Sequence, residues 1–235
     1  RERRHRPTAW TVFGVGPAII AGDALHTLAH QLLLEVPGPP GGAAAEALAR
    51  ATGGMIAGQA DDLAFETGEE VSVEACLAME AAKTGDILAC ASAIGAILAD
   101  APAATVDALH DYGLHLGQSF QAVDDILGIW GDPARTGKPV ASDLRQHKKT
   151  LPVVAALARE PAGELASLLG APEPTEAQLA RAVELLEAAG AKDLAHQEAT
   201  RHLDVALGAL ERTALDDAAA AQLADLARFV TDREA

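Results

Sequence analysis

Two stretches of this 235-residue chain constrain its fold more than anything else in it. From Ser72 to Leu98 one face reads Leu77, Ala81, Thr84, Leu88, Ala91, Gly95 and Leu98, at spacings of three and four. The adjacent face carries Lys83, Ile87, Cys90, Ile94 and Ile97, so this segment is a helix apolar nearly all round, and such a helix belongs at the centre of a fold. From Thr105 onward, Val106, Leu109, Gly113, Leu116, Phe120, Val123, Leu127 and Trp130 make a second core stripe. Hydrophobic residues are 49% of the chain but aromatic ones only 3%, so the core is built from Ala, Leu, Val and Ile, a composition that favours helices. No period-2 alternation of useful length and no internal repeat is present. The expectation is an all-α fold, a helical bundle in one large domain, because single cores grow to about 250 residues before chains split.

With 34 acidic and 18 basic residues the formal net charge is −16, which repels phosphate backbones and anionic membrane surfaces. No nucleic-acid partner is expected on that ground. The longest uncharged runs, Pro7 to Gly22 and Ile87 to Ala99, fall short of the roughly 20 apolar residues of a spanning helix, so no membrane span is expected. No secretory leader is legible, and the expected location is the cytoplasm. Cys76 and Cys90 fall on one helix about 21 Å apart, beyond the reach of a disulfide.

The punctuation places further elements. A helix is expected from about Asp23 to Glu35, and Val36 to Gly42, with Pro37, Pro39, Pro40 and paired glycines, reads as a loop. Another helix runs from about Ala43 to Glu66, and Ser72 is set to cap the central one, with Glu74 in its first turn. Gly131 to His147 is a long polar loop of the kind that carries function. Four helices follow: Leu151 to Gly170, Thr175 to Gly190, Ala191 to Ala214 and Asp216 to Glu234. Thr175 and Gln178 form a capping box, and Gly190 is a C-cap.

Charge is distributed unevenly. Arg1, Arg3, Arg4 and Arg6 crowd the start and Arg135, Lys138, Arg145, Lys148 and Lys149 the long loop, with only Arg50 and Lys83 between. Such clusters either offset neighbouring acids or meet an anionic ligand. Asp124 and Asp125 follow Gln121 on the second core helix, where Gly117, Gln121, Asp124 and Gly128 form one strip beside the apolar stripe. Two adjacent carboxylates there are costly unless a cation neutralises them. Magnesium suits the position, since it takes one or two protein carboxylates plus substrate phosphates; a solvated acidic pair is the plain alternative. Lys83, inside a helix that otherwise buries well, needs an anion, either a substrate or a core acid such as Asp62 or Asp124. His26 and His30 are spaced i, i+4 without the glutamate of the zinc-protease pattern, and read as a packed or surface pair.

The segments RRHRPT (Arg3 to Thr8), GQADDL (Gly58 to Leu63), KTG (Lys83 to Gly85), FQAVDD (Phe120 to Asp125) and GKPVASDLRQHKKTLP (Gly137 to Pro152) occur together in one order. In that order and spacing the chain, from residue 1 to about Ala158, resembles the trans-prenyl diphosphate synthases. The resemblance implies an all-helical, usually homodimeric enzyme that condenses isopentenyl diphosphate with an allylic diphosphate. It implies that Arg3 and Arg4 hold substrate diphosphates, Arg4 that of isopentenyl diphosphate. Lys83 and Lys138 would grip the allylic diphosphate together with magnesium ions on Asp124 and Asp125. Thr84 and Gln121 would lie against the reacting carbons, Lys148 would close over the site, and Asp143 would orient a lysine or a metal-bound water. The wording DDILGIWGDP and TGKPV is similar to that of polyprenyl transferases packaged in encapsulin shells, which implies a shell protein as a partner.

Two departures accompany the resemblance. The family's first Asp-rich motif is expected a few residues before Arg3, so the chain reads as a fragment. In the second such motif the fifth position, commonly Asp, is Gly128. A terpene cyclase on the same scaffold and a non-catalytic partner subunit are the competing readings, and retention of Arg4 argues against the cyclase. Product length is not legible. The apolar faces of Ser72 to Leu98 and Thr105 to Trp130 are expected to exceed what the chain can cover itself, giving a homodimer with an interface above about 2,000 Å². Each active site would still lie within one subunit.

Overall fold

The Ser72 hydroxyl accepts from the Ala75 N–H at 3.1 Å and starts the helix that organises the molecule. The computed structural model describes residues 2–3, 6–67, 70–137, 139–159 and 163–232. A two-residue antiparallel pair, β1 (Glu2–Arg3) with β2 (Arg6–Pro7), opens the chain, and the remaining elements among the described residues are helices. They are α1 (Ala9–Phe13), α2 (Val15–Leu34), α3 (Pro39–Thr67), α4 (Val73–Glu80), a π-helical turn (Ala81–Gly85), α5 (Asp86–Leu98) and α6 (Ala103–Trp130). After two short pieces, α7 (Pro133–Thr136) and α8 (Ser142–Arg145), come α9 (Leu151–Arg159), α10 (Glu164–Leu169), α11 (Glu176–Ala188), α12 (Ala191–Leu210) and α13 (Asp217–Thr231). The fold is all-α, as composition and periodicity require.

Helix α6 is the axis. It packs most extensively against α12 and α5, and α3 closes over α5 and the π turn. Tyr112, Leu109 and Leu116 of α6 meet Ala206, Ala209 and Leu210 of α12 in one cluster. Ile129 joins Leu144, Val153 and Leu186 in another. With so few aromatics, closeness of backbone replaces bulk. A Cβ on Gly58 of α3 would come within 2.5 Å of Lys83 N, and one on Gly117 of α6 within 2.7 Å of Gly85 Cα. The π turn is thus held between two glycines, and π turns recur at functional sites.

Several expectations are corrected. Pro39 to Gly42 is helical, because proline at the first positions of a helix has a suitable φ and lacks only N–H groups that have no intrahelical partner. Helix α2 starts at Val15, eight residues before the expected Asp23. Leu151 to Gly170 is two helices, with Pro161 in the sequence between them. The capping box is present, with Thr175 and Gln178 exchanging backbone bonds, and Cys76 and Cys90 are unpaired and buried.

The uncovered apolar surface is also elsewhere than expected. None of the exposed large hydrophobics among the described residues lies between Ser72 and Trp130, because α3, α12 and α13 cover those helices from within the chain. They concentrate instead on α1 and α2, where Phe13, Ile20 and Leu25 are the most open and no residue of α2 is buried. By length and hydropathy alone Val73–Leu98 would suit a membrane, with a mean hydropathy of 1.4 over its best window. It carries Lys83, however, and packs between α3 and α6.

Candidate functional site

The π turn turns Lys83 and Thr84 toward α3 and α6. Lys83 Nζ lies 2.5 Å from Asp62 Oδ2, and both side chains are largely covered. Asp62 also accepts from Gln59 Nε2 at 3.3 Å, so the GQADDL segment supplies the lysine's counter-ion. Of the two acids weighed for Lys83, the structure selects Asp62.

Thr84 Oγ1 donates to Gln121 Oε1 at 2.9 Å, and Gln121 Nε2 donates to Asp125 Oδ1 at 2.8 Å. The other Asp125 oxygen accepts from the Leu151 N–H at 3.1 Å. Asp125 is 2% exposed and also meets the Glu80 carboxyl, which is itself buried. Burial pushes Asp125 up to about 6 against the opposing hydrogen bonds from Gln121, Glu80 and Leu151. Burial, then the charge of Asp125, holds Glu80 well above the usual carboxylate range. Two carboxyls in contact do not both ionise readily, so the pair holds a proton between them. Beneath it, the Cys76 thiol donates to Glu80 Oε1 at 3.5 Å and to the Lys149 carbonyl at 3.4 Å, and burial raises its pKa far above an ordinary thiol's.

Of the two carboxylates that the resemblance gives to magnesium, Asp125 is here held by protein groups. Its oxygens are committed to Gln121, Leu151 and Glu80, and it points into the protein. Asp124, one residue and about 100° further round α6, is half-buried. It does not line the cleft that forms above Asp125. Among the described residues no three His, Cys, Asp or Glu side chains converge as a metal cluster. A magnesium ion here would take at most one protein carboxylate, with its other oxygens from substrate and water.

That cleft is lined by Asp62, Met79, Glu80, Lys83, Gln121, Asp125, Lys148, Lys149 and Thr150. Three lysines from two parts of the chain are among its lining residues. Lys148 Nζ is 3.5 Å from Asp143 Oδ1, and its backbone N–H donates to the Asp143 carbonyl at 3.0 Å. Thr150 Oγ1 is buried without a hydrogen-bond partner among the described residues. The loop's basic cluster divides, since Arg145 is spent on a bidentate pair with Glu176 at 2.8 and 2.6 Å. Arg4 and Lys138 lie outside the described residues, as does the side chain of Arg3.

Gly128 has a steric reason: a Cβ there would run into the Asp143 carboxylate, which is buried, accepts from Ser142 Oγ at 3.3 Å and faces Lys148. Ala141 and His147, on either side of this segment, both have positive φ, 56° and 55°, the kind of local strain that collects at functional sites. Sequence reading missed Glu80, Lys149 and Thr150. Lys149 and Thr150 could have been found from their place beside Lys148 in the KKT run; Glu80 had no such signal.

His30 Nδ1 contacts the His26 carbonyl and His26 Nε2 contacts Thr52, a surface pair as expected. A second pair was not anticipated. His115 of α6 and His202 of α12 stand Nδ1 to Nδ1 at 2.7 Å, and Arg201 lies against His202 Nε2. Burial, then Arg201 and His115, pull His202 down to about 4.

Residues 1–186 match the family model described as polyprenyl synthetase. The (2E,6E)-farnesyl diphosphate synthase of Mycobacterium tuberculosis is 44% identical over 240 residues, spanning 100% of this chain and 67% of that protein. The crystal structure of a polyprenyl synthetase from Streptomyces coelicolor superposes with a TM-score of 0.89 at 46% identity, covering 97% of this chain and 70% of that one. A geranylgeranyl pyrophosphate synthase from Corynebacterium glutamicum, complexed with isoprenyl diphosphate and magnesium, gives a TM-score of 0.84 at 31% identity, over 94% of this chain and 64% of that one.

Proposed function

The chain belongs to the polyprenyl synthetase family and is a transferase that lengthens prenyl diphosphates, and from that premise we propose how its own residues perform the reaction. The observation that carries the reading is the cleft itself. In a chain of net charge −16, Lys83, Lys148 and Lys149 line it beside an unpartnered buried Thr150 hydroxyl. An allylic diphosphate is the anion that this set binds.

Lys83 and Lys148 lie against the departing diphosphate, each held beforehand by a carboxylate, Asp62 and Asp143. Preset charges of this kind stabilise a leaving group without reorganising as the bond breaks. The allylic C–O bond cleaves, the diphosphate leaves with the electron pair, and the alkene of isopentenyl diphosphate attacks the allylic cation to form a C–C bond. Loss of a proton then restores the double bond. Gln121 and Thr84, locked to each other, face the reacting carbons, while the apolar faces of α5 and α6 exclude water that would trap the cation. Arg3 and Arg4 bind substrate diphosphate, Arg4 that of isopentenyl diphosphate, and Lys138 joins Lys83 on the allylic one. Asp124 would hold magnesium, which would supply further neutralisation of diphosphate charge.

A second copy of the chain covers the exposed apolar face of α1 and α2, making a homodimer. The cytoplasm is its place of work, and a shell protein as partner rests on the DDILGIWGDP and TGKPV wording alone.

Asp124→Ala in the full-length enzyme tests the assignment. Turnover should fall about 100-fold and the magnesium needed for half-maximal rate should rise, with the melting temperature nearly unchanged. Unchanged turnover with a large loss of stability would make Asp124 a structural residue.

A further inference from the structure

His147 precedes Lys148 in sequence but is not among the residues that line the cleft. The short helix α8 ends there on a backbone motif: the His147 N–H donates to the Leu144 carbonyl at 3.1 Å and the Lys148 N–H to the Asp143 carbonyl at 3.0 Å. These are the two bonds of a Schellman cap, whose pivot residue is left-handed and usually glycine. Here the pivot is His147, with φ 55°. The cap brings the residue after the pivot beside the third-last residue of the helix, and that pair is Lys148 and Asp143, with Nζ 3.5 Å from Oδ1. The turn at His147 therefore sets where the Lys148 ammonium stands. The turn alone gives no reason for histidine, since glycine takes this conformation without strain. The ring does. Nδ1 lies 3.1 Å from the Leu169 carbonyl, at the end of α10, and Nε2 lies 3.4 Å from the Pro172 carbonyl, on the way to α11. Carbonyl oxygens only accept, so the ring donates; with its hydrogen on Nδ1 it makes the shorter bond, to Leu169. Arg145 also ties this loop to α11, through an exposed pair with Glu176, but it precedes the turn.

We propose that His147 is a positioning residue for the prenyl transfer: its imidazole, bonded to the Leu169 carbonyl, pins the turn after α8 and so holds Lys148 at the cleft, against the allylic diphosphate. The proposal rests on the reading that Lys148 lies against that diphosphate. Beyond Lys148 the same segment is fixed to α4 and α6, where the Lys149 carbonyl accepts from the Cys76 thiol at 3.4 Å and the Leu151 N–H donates to Asp125 at 3.1 Å. Lys148 thus stands between two anchors, one on the cleft's own helices and the other, His147, on the connection between α10 and α11. Without the ring the turn keeps its backbone bonds but loses its outer anchor, and the ammonium spends less time at the cleft. The allylic diphosphate then binds and ionises less well, while isopentenyl diphosphate, assigned to Arg4, is unaffected.

The test uses His147→Gly, His147→Asn and Lys148→Ala in the full-length enzyme, with His147→Gly also combined with Lys148→Ala. Glycine keeps the left-handed turn and removes the ring, so the melting temperature should stay near that of wild type. Its kcat/KM for the allylic diphosphate should fall about tenfold, with KM for isopentenyl diphosphate within about twofold. Asparagine also accepts the left-handed conformation and carries an amide N–H at nearly the reach of Nδ1, so it should recover most of the loss, to within about threefold of wild type. In the double variant glycine should add little to Lys148→Ala, because the two act through one path. Wild-type kinetics in His147→Gly, equal losses in the Gly and Asn variants, equal rises in KM for the two diphosphates, or fully multiplicative losses in the double variant would overturn the proposal. So would a large fall in the melting temperature of His147→Gly, which would make the ring a structural group. Should Lys148→Ala leave the kinetics unchanged, the reading of Lys148 fails and takes this proposal with it. A large Lys148→Ala effect beside a silent His147→Gly overturns His147 alone.

Discussion

Helices α2 and α6 are both long and rich in aliphatic residues, yet 14 of the 28 residues of α6 are buried and none of the 20 in α2. The difference lies in what surrounds them. Helix α6 has α5 on one side and α12 on the other, so its periodic stripe is consumed inside the chain, and its buried Tyr112, Ser119 and Asp125 side chains are hydrogen-bonded. Among the described residues, helix α2 touches only its sequence neighbours α1 and α3 to any extent. Apolar periodicity states which face seeks cover; only the tertiary arrangement states whether this chain provides it. The two helices accordingly divide the work, α6 carrying the fixed chemistry and α2 the surface open to assembly.

Truncation separates them most strongly. Tyr112 is buried in α6, with its hydroxyl bonded to the Leu223 carbonyl at 2.8 Å, and Tyr112→Ala should cost about 3–5 kcal/mol in denaturant unfolding. Ile20→Ala in α2 should cost under about 0.5 kcal/mol in the dissociated chain. Equal losses would mean that α2 has a packed partner within the chain.

Gly128→Ala sharpens the account of α6 at its C-terminal end. Its methyl meets the Asp143 carboxylate, so a loss of about 1–3 kcal/mol is expected, with KM for the allylic diphosphate raised as Lys148 is displaced. A variant as stable and active as wild type would show that Asp143 is free to move.

Further along α6, the imidazole pair gives a pH dependence. His202 has a folded pKa of about 4 against an ordinary 6.5, so the unfolded chain takes up this proton first as pH falls. The stability it contributes is full above about pH 6.5 and is lost progressively toward pH 4. His202→Asn should flatten melting temperature against pH across that window; an unchanged slope would place the titration elsewhere.

The smallest effect on folding, and the sharpest on assembly, is expected from charges on α2. Ile20→Asp with Leu25→Asp should halve the mass seen by light scattering while helical content is unchanged. A wild-type protein that is already monomeric would remove the role assigned to α2.

What the sequence disclosed of this arrangement follows from the range of the forces involved. Caps are local, so Ser72 and the Thr175–Gln178 box were legible. The burial of α6 was legible because 3.6-residue periodicity is imposed by the core. The π turn was not, since it depends on Gly58 and Gly117, one before it and one 32 residues or more after it, pressing on one backbone segment. The inward turn of Asp125 depends on an N–H at Leu151 and a carboxyl at Glu80, and the His115–His202 pair spans 87 positions. Lys83 was legible as a charge needing an anion, but the choice of Asp62 required the approach of α3.

The central claim is that the lysine-lined cleft stabilises a departing allylic diphosphate so that a second prenyl unit can be joined. Its most direct test supplies the full-length enzyme with radiolabelled isopentenyl diphosphate, an allylic diphosphate and magnesium, and resolves the products by chain length. A longer prenyl diphosphate should form only when both substrates and the metal are present, and Lys83→Ala should abolish it. Equal product in excess chelator, or a cyclised product from the allylic diphosphate alone, would contradict the account.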